Sequence, residues 1–292
     1  MPLISLTEML ADARKNKYAV GCFNVLNLET IIGILEAAEE ERSPVILSFA
    51  EVHQKYISLD RIGPIIVNEA KQSSMPVGVI LDHGMSFSTA VKAMKLGFNS
   101  VMFDGSRFEF SENVSQTREI VKIADALDVD VEGEIGYIGR PKSASSEGND
   151  NDMIMEDTSY YTTPEQAKQF AVETGVDMLA VAFGTAHGIY LKMPKLDFKR
   201  LENIAGTVDV PLVMHGGSGL TREDFRKSIE CGISKINYYT NLALEVSNNI
   251  KRALDDDSKP SFYHDIIDMG RASYKQCVKE VINMFGSNNR VR

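Results

Sequence analysis

Cysteine, histidine and long apolar runs are all scarce in this chain of 292 residues. The three cysteines, Cys22, Cys231 and Cys277, include no CxxC spacing. Such an odd set offers no thiolate metal cluster and fits a reducing compartment, with Cys22 and Cys231 read as small buried apolar residues. No stretch approaches the roughly 18 apolar residues of a membrane span. The opening Met1-Pro2-Leu3-Ile4-Ser5 lacks the basic and then apolar regions of a signal peptide, so a cytoplasmic protein without membrane contact is expected. Basic residues are in the minority, 31 Lys and Arg against 41 Asp and Glu, for a net charge of −10 at pH 7. That balance excludes general nucleic-acid binding, which needs a basic face to neutralise phosphates. It leaves room for small anionic substrates at a locally positive site.

What is present is a regular alternation. A hydrophobic content of 43% is ample for a core, and α/β barrels reach this length as one domain. Short apolar runs at 19–25, 44–50, 76–83, 100–105, 130–136, 178–184, 211–216 and 234–240 read as strands. Amphipathic patterns at 28–42, 88–96, 112–127, 164–174, 222–231 and 241–255 read as helices between them. In the segment at 112–127, Val114, Ile120, Val121, Ala124 and Leu127 recur close to the helical period and form the stripe that a covering helix needs. Val77-Gly78-Val79-Ile80-Leu81 and Met178-Leu179-Ala180-Val181-Ala182-Phe183 are almost continuously apolar, as in parallel strands covered on both faces.

Eight such units predict a (β/α)8 TIM barrel over residues 1–292 as a single domain, with a helical extension after about residue 256. An open doubly wound sheet is the alternative. The first βα turn, Asn24-Val25-Leu26-Asn27, has no glycine fingerprint for a dinucleotide. One segment breaks the rhythm: residues 139–160 are polar and follow the fifth strand, which predicts a mobile loop at the C-terminal mouth or else a passive insertion.

The strand ends carry the chemistry. Asp82 and His83 end the third strand, Asp104 the fourth, Glu132 and Glu134 the fifth; His187 follows the sixth, His215 ends the seventh and Asn237 lies on the eighth. Three of only five histidines stand at such ends, which points to a shared task. Three nitrogen ligands with a fourth position open is the arrangement of a catalytic zinc ion. The other two, His53 and His264, read as surface or packing residues. Strict alternation turns Asp82 and His83 to opposite sides of their strand unless its end twists. Asp82 then serves as a general acid/base or orients a neighbour, and Glu134 is a ligand, a partner of a ligand or a solvent-facing charge.

Glycines flank the same ligands in Gly184-Thr185-Ala186-His187-Gly188 and His215-Gly216-Gly217-Ser218-Gly219. Glycine lets backbone N–H groups approach an anion, and barrels often hold phosphate near their last loops. With Asn237 and Thr240 beyond them, a phosphorylated substrate is the better reading.

These motifs, with Tyr18-Ala19-Val20-Gly21-Cys22-Phe23-Asn24-Val25, Leu81-Asp82-His83-Gly84, Val131-Glu132-Gly133-Glu134-Ile135-Gly136, Lys235-Ile236-Asn237 and Met284-Phe285-Gly286-Ser287, resemble the class II fructose-bisphosphate aldolase family, tagatose-bisphosphate aldolases included. The resemblance spans essentially the whole chain. It implies zinc held by His83, His187 and His215 with Glu134 near the metal, and Asp82 exchanging the hydroxyl proton at the bond being cleaved. It implies a ketose phosphate held by Asn24, Gly188, Gly216, Gly217, Ser218, Asn237 and Thr240, with a monovalent cation near the phosphate. Glu147 is the candidate loop acid, and a homodimer or homotetramer is expected. Tyr239, Leu191 before Lys192, Ala50 and Arg107 depart from common family residues and leave the sugar open.

Two other enzyme mechanisms compete. A barrel hydrolase usually gathers an HxH pair on an early strand, which this sequence lacks. A lysine-dependent aldolase needs a lysine at the mouth, whereas Lys235 reads as lying near the start of the eighth strand, far from it. A catalytically silent sugar-phosphate binder is opposed by the intact Asp82 and histidines.

Overall fold

Eight parallel strands close on themselves in chain order in the computed structural model, which describes residues 3–139, 158–190, 192–255 and 262–291. They are β1 (Val20–Asn24), β2 (Val45–Ala50), β3 (Val77–Gly84), β4 (Ser100–Phe103), β5 (Asp130–Ile135), β6 (Met178–Val181), β7 (Leu212–Met214) and β8 (Ile233–Asn237). β1 pairs with both β2 and β8, so the sheet has no edge and the open-sheet alternative is excluded. Nearly every strand residue is buried, because one face meets the barrel interior and the other meets helices.

The ring comprises α2 (Leu28–Glu41), α3 (Leu59–Gln72), α4 (Phe87–Lys95), α5 (Phe110–Asp125), α6 (Pro164–Thr174), α7 (Phe198–Ala205), α8 (Arg222–Glu230) and α9 (Thr240–Leu254). Capping boxes at Asn27/Thr30, Thr163/Gln166 and Thr221/Asp224 satisfy the first free N–H groups of α2, α6 and α8. They therefore fix where each βα loop ends. The last helix, α10 (Tyr263–Phe285), packs on α2 and ties to it through Arg271–Glu36 and Lys279–Glu40 pairs.

Two apolar layers follow from the two-residue period of the strands. Residues such as Phe23, Leu47, Val79, Val101 and Leu179 face the helices. Val20, Cys22, Ile46, Ile80, Met102, Met178, Ala180 and Val213 fill the barrel interior. A further helix, α1 (Leu6–Asn16), closes this inner cluster from below with Leu6, Met9, Leu10 and Ala13. Gly78 makes room for it: a Cβ there would lie 2.4 Å from Leu6 Cδ1.

Several strands are shorter than their apolar runs suggest. β6 ends at Val181 rather than residue 184, and β8 at Asn237 rather than residue 240. The remaining residues of those runs turn over the mouth. Glu147, Leu191 and most of the 139–160 segment lie outside the described residues.

Candidate active site

Counting by twos along the strands brings a polar layer to the top of the barrel interior: Asn24, Ser48, Asp82, Asp104, Glu132, Glu134, His215, Lys235 and Asn237. Three histidines meet there. One ring nitrogen of each of His83, His187 and His215 lies within 4.8 Å of those of the others, and the Nε2 atoms of His83 and His187 are 3.1 Å apart. Two nitrogens bound to one tetrahedral zinc are about 3.3 Å apart, given bonds of about 2.0–2.1 Å. The spacing is thus that of a shared ion.

His83 reaches this position through an irregular strand end. Its φ of 47° is left-handed, and the pairing register between β3 and β4 shifts between Leu81 and Gly84. A non-glycine residue in that region costs about 1–2 kcal/mol. The twist brings both Asp82 and His83 toward the mouth, where strict alternation would have separated them.

Each ligand candidate has a carboxylate or backbone behind it. Asp104 Oδ2 lies 2.9 Å from His83 Nδ1, and Asp104 Oδ1 accepts from the Ser106 hydroxyl at 2.6 Å. Glu132 Oε1 lies 2.8 Å from His215 Nε2. His187 is anchored by its own N–H, which donates to the Gly139 carbonyl at 2.8 Å. The two carboxylates set which imidazole nitrogen of His83 and of His215 keeps its lone pair. Glu134 completes a second cluster with His83 and Asp104, its Oε2 4.0 Å from His83 Nδ1.

The electrostatics favour a cation. Burial works to discharge His83, yet Asp82, Asp104 and Glu134 outweigh it and push its pKa up to about 10. Burial likewise opposes ionisation of Asp104, but His83 and Ser106 hold its carboxyl well below the usual range. The pull that holds a proton on His83 would hold a divalent ion as well. Burial drives His215 well below its ordinary value, helped by His83 and Lys235, so its ring is neutral as a ligand must be. Burial and the neighbouring Asp104 push Glu134 well up. The buried atoms His215 Nδ1 and Glu134 Oε2 have no hydrogen-bond partner among the described residues, each a cost of about 1–3 kcal/mol unless an ion takes it. The donor set therefore fits a zinc ion.

Asp82 is held from both sides. Asn24 Nδ2 donates to its Oδ2 and Asn237 Nδ2 to its Oδ1, each at 2.9 Å. Ser48 fixes the Asn24 amide by donating to Oδ1 at 3.1 Å. Burial alone would raise the Asp82 pKa, but the positive fields of His83 and Lys235 and the Asn24 bond lower it below the ordinary value. It is a buried, ionised carboxylate beside the histidine cluster.

A cleft over this layer is lined by every residue expected at a substrate: Asn24, Gly188, Gly216, Gly217, Ser218, Asn237 and Thr240, joined by Ala50, Val52 and Tyr239. Gly216 has a φ of 66°, and a Cβ there would meet the Ala186 backbone at 2.6 Å, so only glycine allows the loops after β6 and β7 to touch. Thr240 opens α9, whose first N–H groups make a natural anion site next to the glycine loop. Of the remaining histidines, His53 is buried behind the cleft, 4.9 Å from the Tyr239 ring, while His264 is 79% exposed on α10.

Two residues escape the sequence reading. Lys235 is not remote from the mouth: it sits at the centre of β8, fully buried, donating to Glu132 Oε2 at 2.7 Å and to Asn237 Oδ1 at 2.8 Å. Burial opposes its charge, but Glu132 and Asp82 outweigh it and raise its pKa, so it remains an ammonium and not a free amine. Tyr190 is the other. Its hydroxyl accepts from Ala186 N–H at 2.7 Å and donates to the Gly216 carbonyl at 2.6 Å. The two-residue period foreshadows Lys235 beneath Asn237; nothing local foreshadows the Tyr190 bridge.

Fold and mouth together define a (β/α)8-barrel protein with a histidine and carboxylate centre at the C-terminal ends of its strands. Residues 4–290 match the family model described as fructose-bisphosphate aldolase class-II, and the chain belongs to that family. It resembles the crystal structure of the YdjI aldolase from Escherichia coli K12 with 34% identity and a TM-score of 0.87, over 99% of this chain and 100% of that one. A putative fructose-1,6-biphosphate aldolase from Coccidioides immitis is similar at 28% identity and TM-score 0.84, over 98% and 97% of the two chains. The fructose-bisphosphate aldolase of Campylobacter jejuni, 21% identical over 99% and 97%, shares the fold with a TM-score of 0.81.

Proposed function

We propose that this chain is a zinc-dependent aldolase that reversibly cleaves a ketose 1,6-bisphosphate of the fructose or tagatose type into dihydroxyacetone phosphate and an aldehyde such as glyceraldehyde 3-phosphate. The observation that carries the reading is Asp82, ionised and clamped by two amides beside three histidines. His83, His187 and His215 would hold the ion, with Glu134 near it, and the ion when bound supplies the Lewis acidity that stabilises negative charge on the ketose oxygens.

Asp82 takes the proton of the hydroxyl on the carbon beyond the bond being cleaved. That carbon–oxygen bond becomes the aldehyde carbonyl, the carbon–carbon bond breaks, and its electron pair goes to the dihydroxyacetone phosphate half as an enediolate. Asn24 and Asn237 keep the carboxylate aimed, and their amide hydrogens stabilise it while it is charged. In the reverse direction, protonated Asp82 returns the proton to the newly formed alkoxide. Gly188, Gly216, Gly217, Ser218 and Thr240 would bind the ketose phosphate through backbone N–H and hydroxyl donors, beside a monovalent cation. Glu147 would exchange the carbon-bound proton of the enediolate. The protein would act in the cytoplasm as a homodimer or homotetramer.

The test is a coupled assay of dihydroxyacetone phosphate release from a panel of phosphorylated ketoses. A chelator should abolish release and zinc or cobalt should restore it, while borohydride with substrate should trap no adduct. Turnover in metal-free protein, or a trapped lysine adduct, would sink the mechanism.

A further inference from the structure

Lys235 is a fully buried lysine in a network that runs beneath the whole site. Two branches leave its ammonium, which can only donate. The first goes to Asn237 Oδ1 at 2.8 Å. That contact decides which end of the amide faces down: the oxygen meets Lys235, so the NH2 is left for Asp82 Oδ1 at 2.9 Å. A flipped amide would set NH2 against the ammonium and oxygen against the carboxylate, two repulsive contacts in a buried layer.

The second branch goes to Glu132 Oε2 at 2.7 Å, which leaves Oε1 to face His215 Nε2 at 2.8 Å. With Lys235 donating to one oxygen, the Glu132 carboxylate presents the other to Nε2 as an acceptor, so Nε2 carries the hydrogen and Nδ1 keeps the lone pair. His215 Nδ1 is a buried atom without a hydrogen-bond partner among the described residues. One charged group thus stands behind both the base candidate and a ligand candidate.

We infer that Lys235 is a positioning residue: its ammonium fixes the Asn237 amide that aims Asp82 and, through Glu132, the tautomer that makes His215 a ligand. The Asp82 branch rests on the aldolase reading; the His215 branch does not.

The test is Lys235→Gln, whose side chain both donates and accepts and so leaves each orientation unspecified. In folded protein, kcat should fall about tenfold or more while KM stays within about twofold, and cobalt binding to apo-protein should weaken about tenfold. At saturating cobalt, where the His215 branch no longer limits turnover, the double variant Asp82→Ala/Lys235→Gln should be no slower than Asp82→Ala, because the remaining effect of Lys235 acts through Asp82. A folded K235Q with unchanged kcat and cobalt affinity, or losses that add in the double variant at saturating cobalt, would overturn the inference. If K235Q does not fold, Lys235→Met/Glu132→Gln removes both charges and carries the same expectations, since the introduced amide presents either end to His215. If wild-type protein cleaves no phosphorylated ketose, the aldolase reading fails, and cobalt affinity alone decides Lys235.

Discussion

The hydroxyl of Tyr190 donates to the Gly216 carbonyl at 2.6 Å and so ties the loop after β6 to the loop after β7. His187 stands on one of these loops and His215 begins the other, so this bond holds two of the three histidines at their spacing. Tyr190→Phe strands the Gly216 carbonyl and the Ala186 N–H together. A stability loss of about 1–3 kcal/mol is expected, with zinc bound about tenfold more weakly. Chemical denaturation and chelator competition measure these, and wild-type zinc affinity in the variant would show that the loops hold their spacing without the bridge.

Asp82→Ala removes the carboxylate and leaves the three imidazoles in place. The variant should keep a cobalt spectrum like that of the wild type while kcat falls by about 10²–10⁴, the usual worth of a positioned acid or base. Near-normal cleavage would take Asp82 out of its role.

Asp177 gives a pH prediction away from the mouth. Its carboxylate accepts from Val131 N–H at 2.7 Å, and burial, with Asp130 and Asp125 nearby, raises its pKa. The folded state therefore binds this proton more tightly than the unfolded chain. The favourable contribution is full below the unfolded value of about 3.9 and is lost as pH rises through the folded value. Asp177→Asn keeps an acceptor for Val131 and carries no charge, so it should be more stable than the wild type at neutral pH, with the gain shrinking as pH falls. Urea midpoints across that range measure this, and a constant difference would show that Asp177 does not titrate differently on folding.

Cys22 faces the barrel interior, where burial, with Asp82 and Glu132, pushes its thiol up to about 12 despite Lys235. Native protein should resist iodoacetamide at this residue at about pH 8 and react only when unfolded. Mass spectrometry of native and urea-treated samples distinguishes the two, and rapid native labelling would mean that the interior opens readily.

How much of this could be read from the sequence follows the physics of each feature. The strands were legible because burial on both faces makes them near-continuously apolar, and the histidines because they are rare and stand at strand ends. Three helices had no range assigned from the sequence, for separate reasons: α1 precedes the alternation, α3 contains Pro64, and α7 is only 8 residues long. Asp82 and His83 could be seen as neighbours but not as partners, since the left-handed residue that turns both toward the mouth has no local sequence cue. Lys235 is the one charge of β8 and Glu132 one of three acids in β5, so neither marks the other as its partner. Their pairing spans 103 residues and depends on barrel register, which a single sequence does not reveal.

The packing of Leu6 against Gly78 closes the lower end of the barrel among the described residues. With α1 seated below the inner apolar cluster, water, substrate and product share the opening above the histidines. Two fragments held there at once would leave in the order of their depth, the one nearer the rim first.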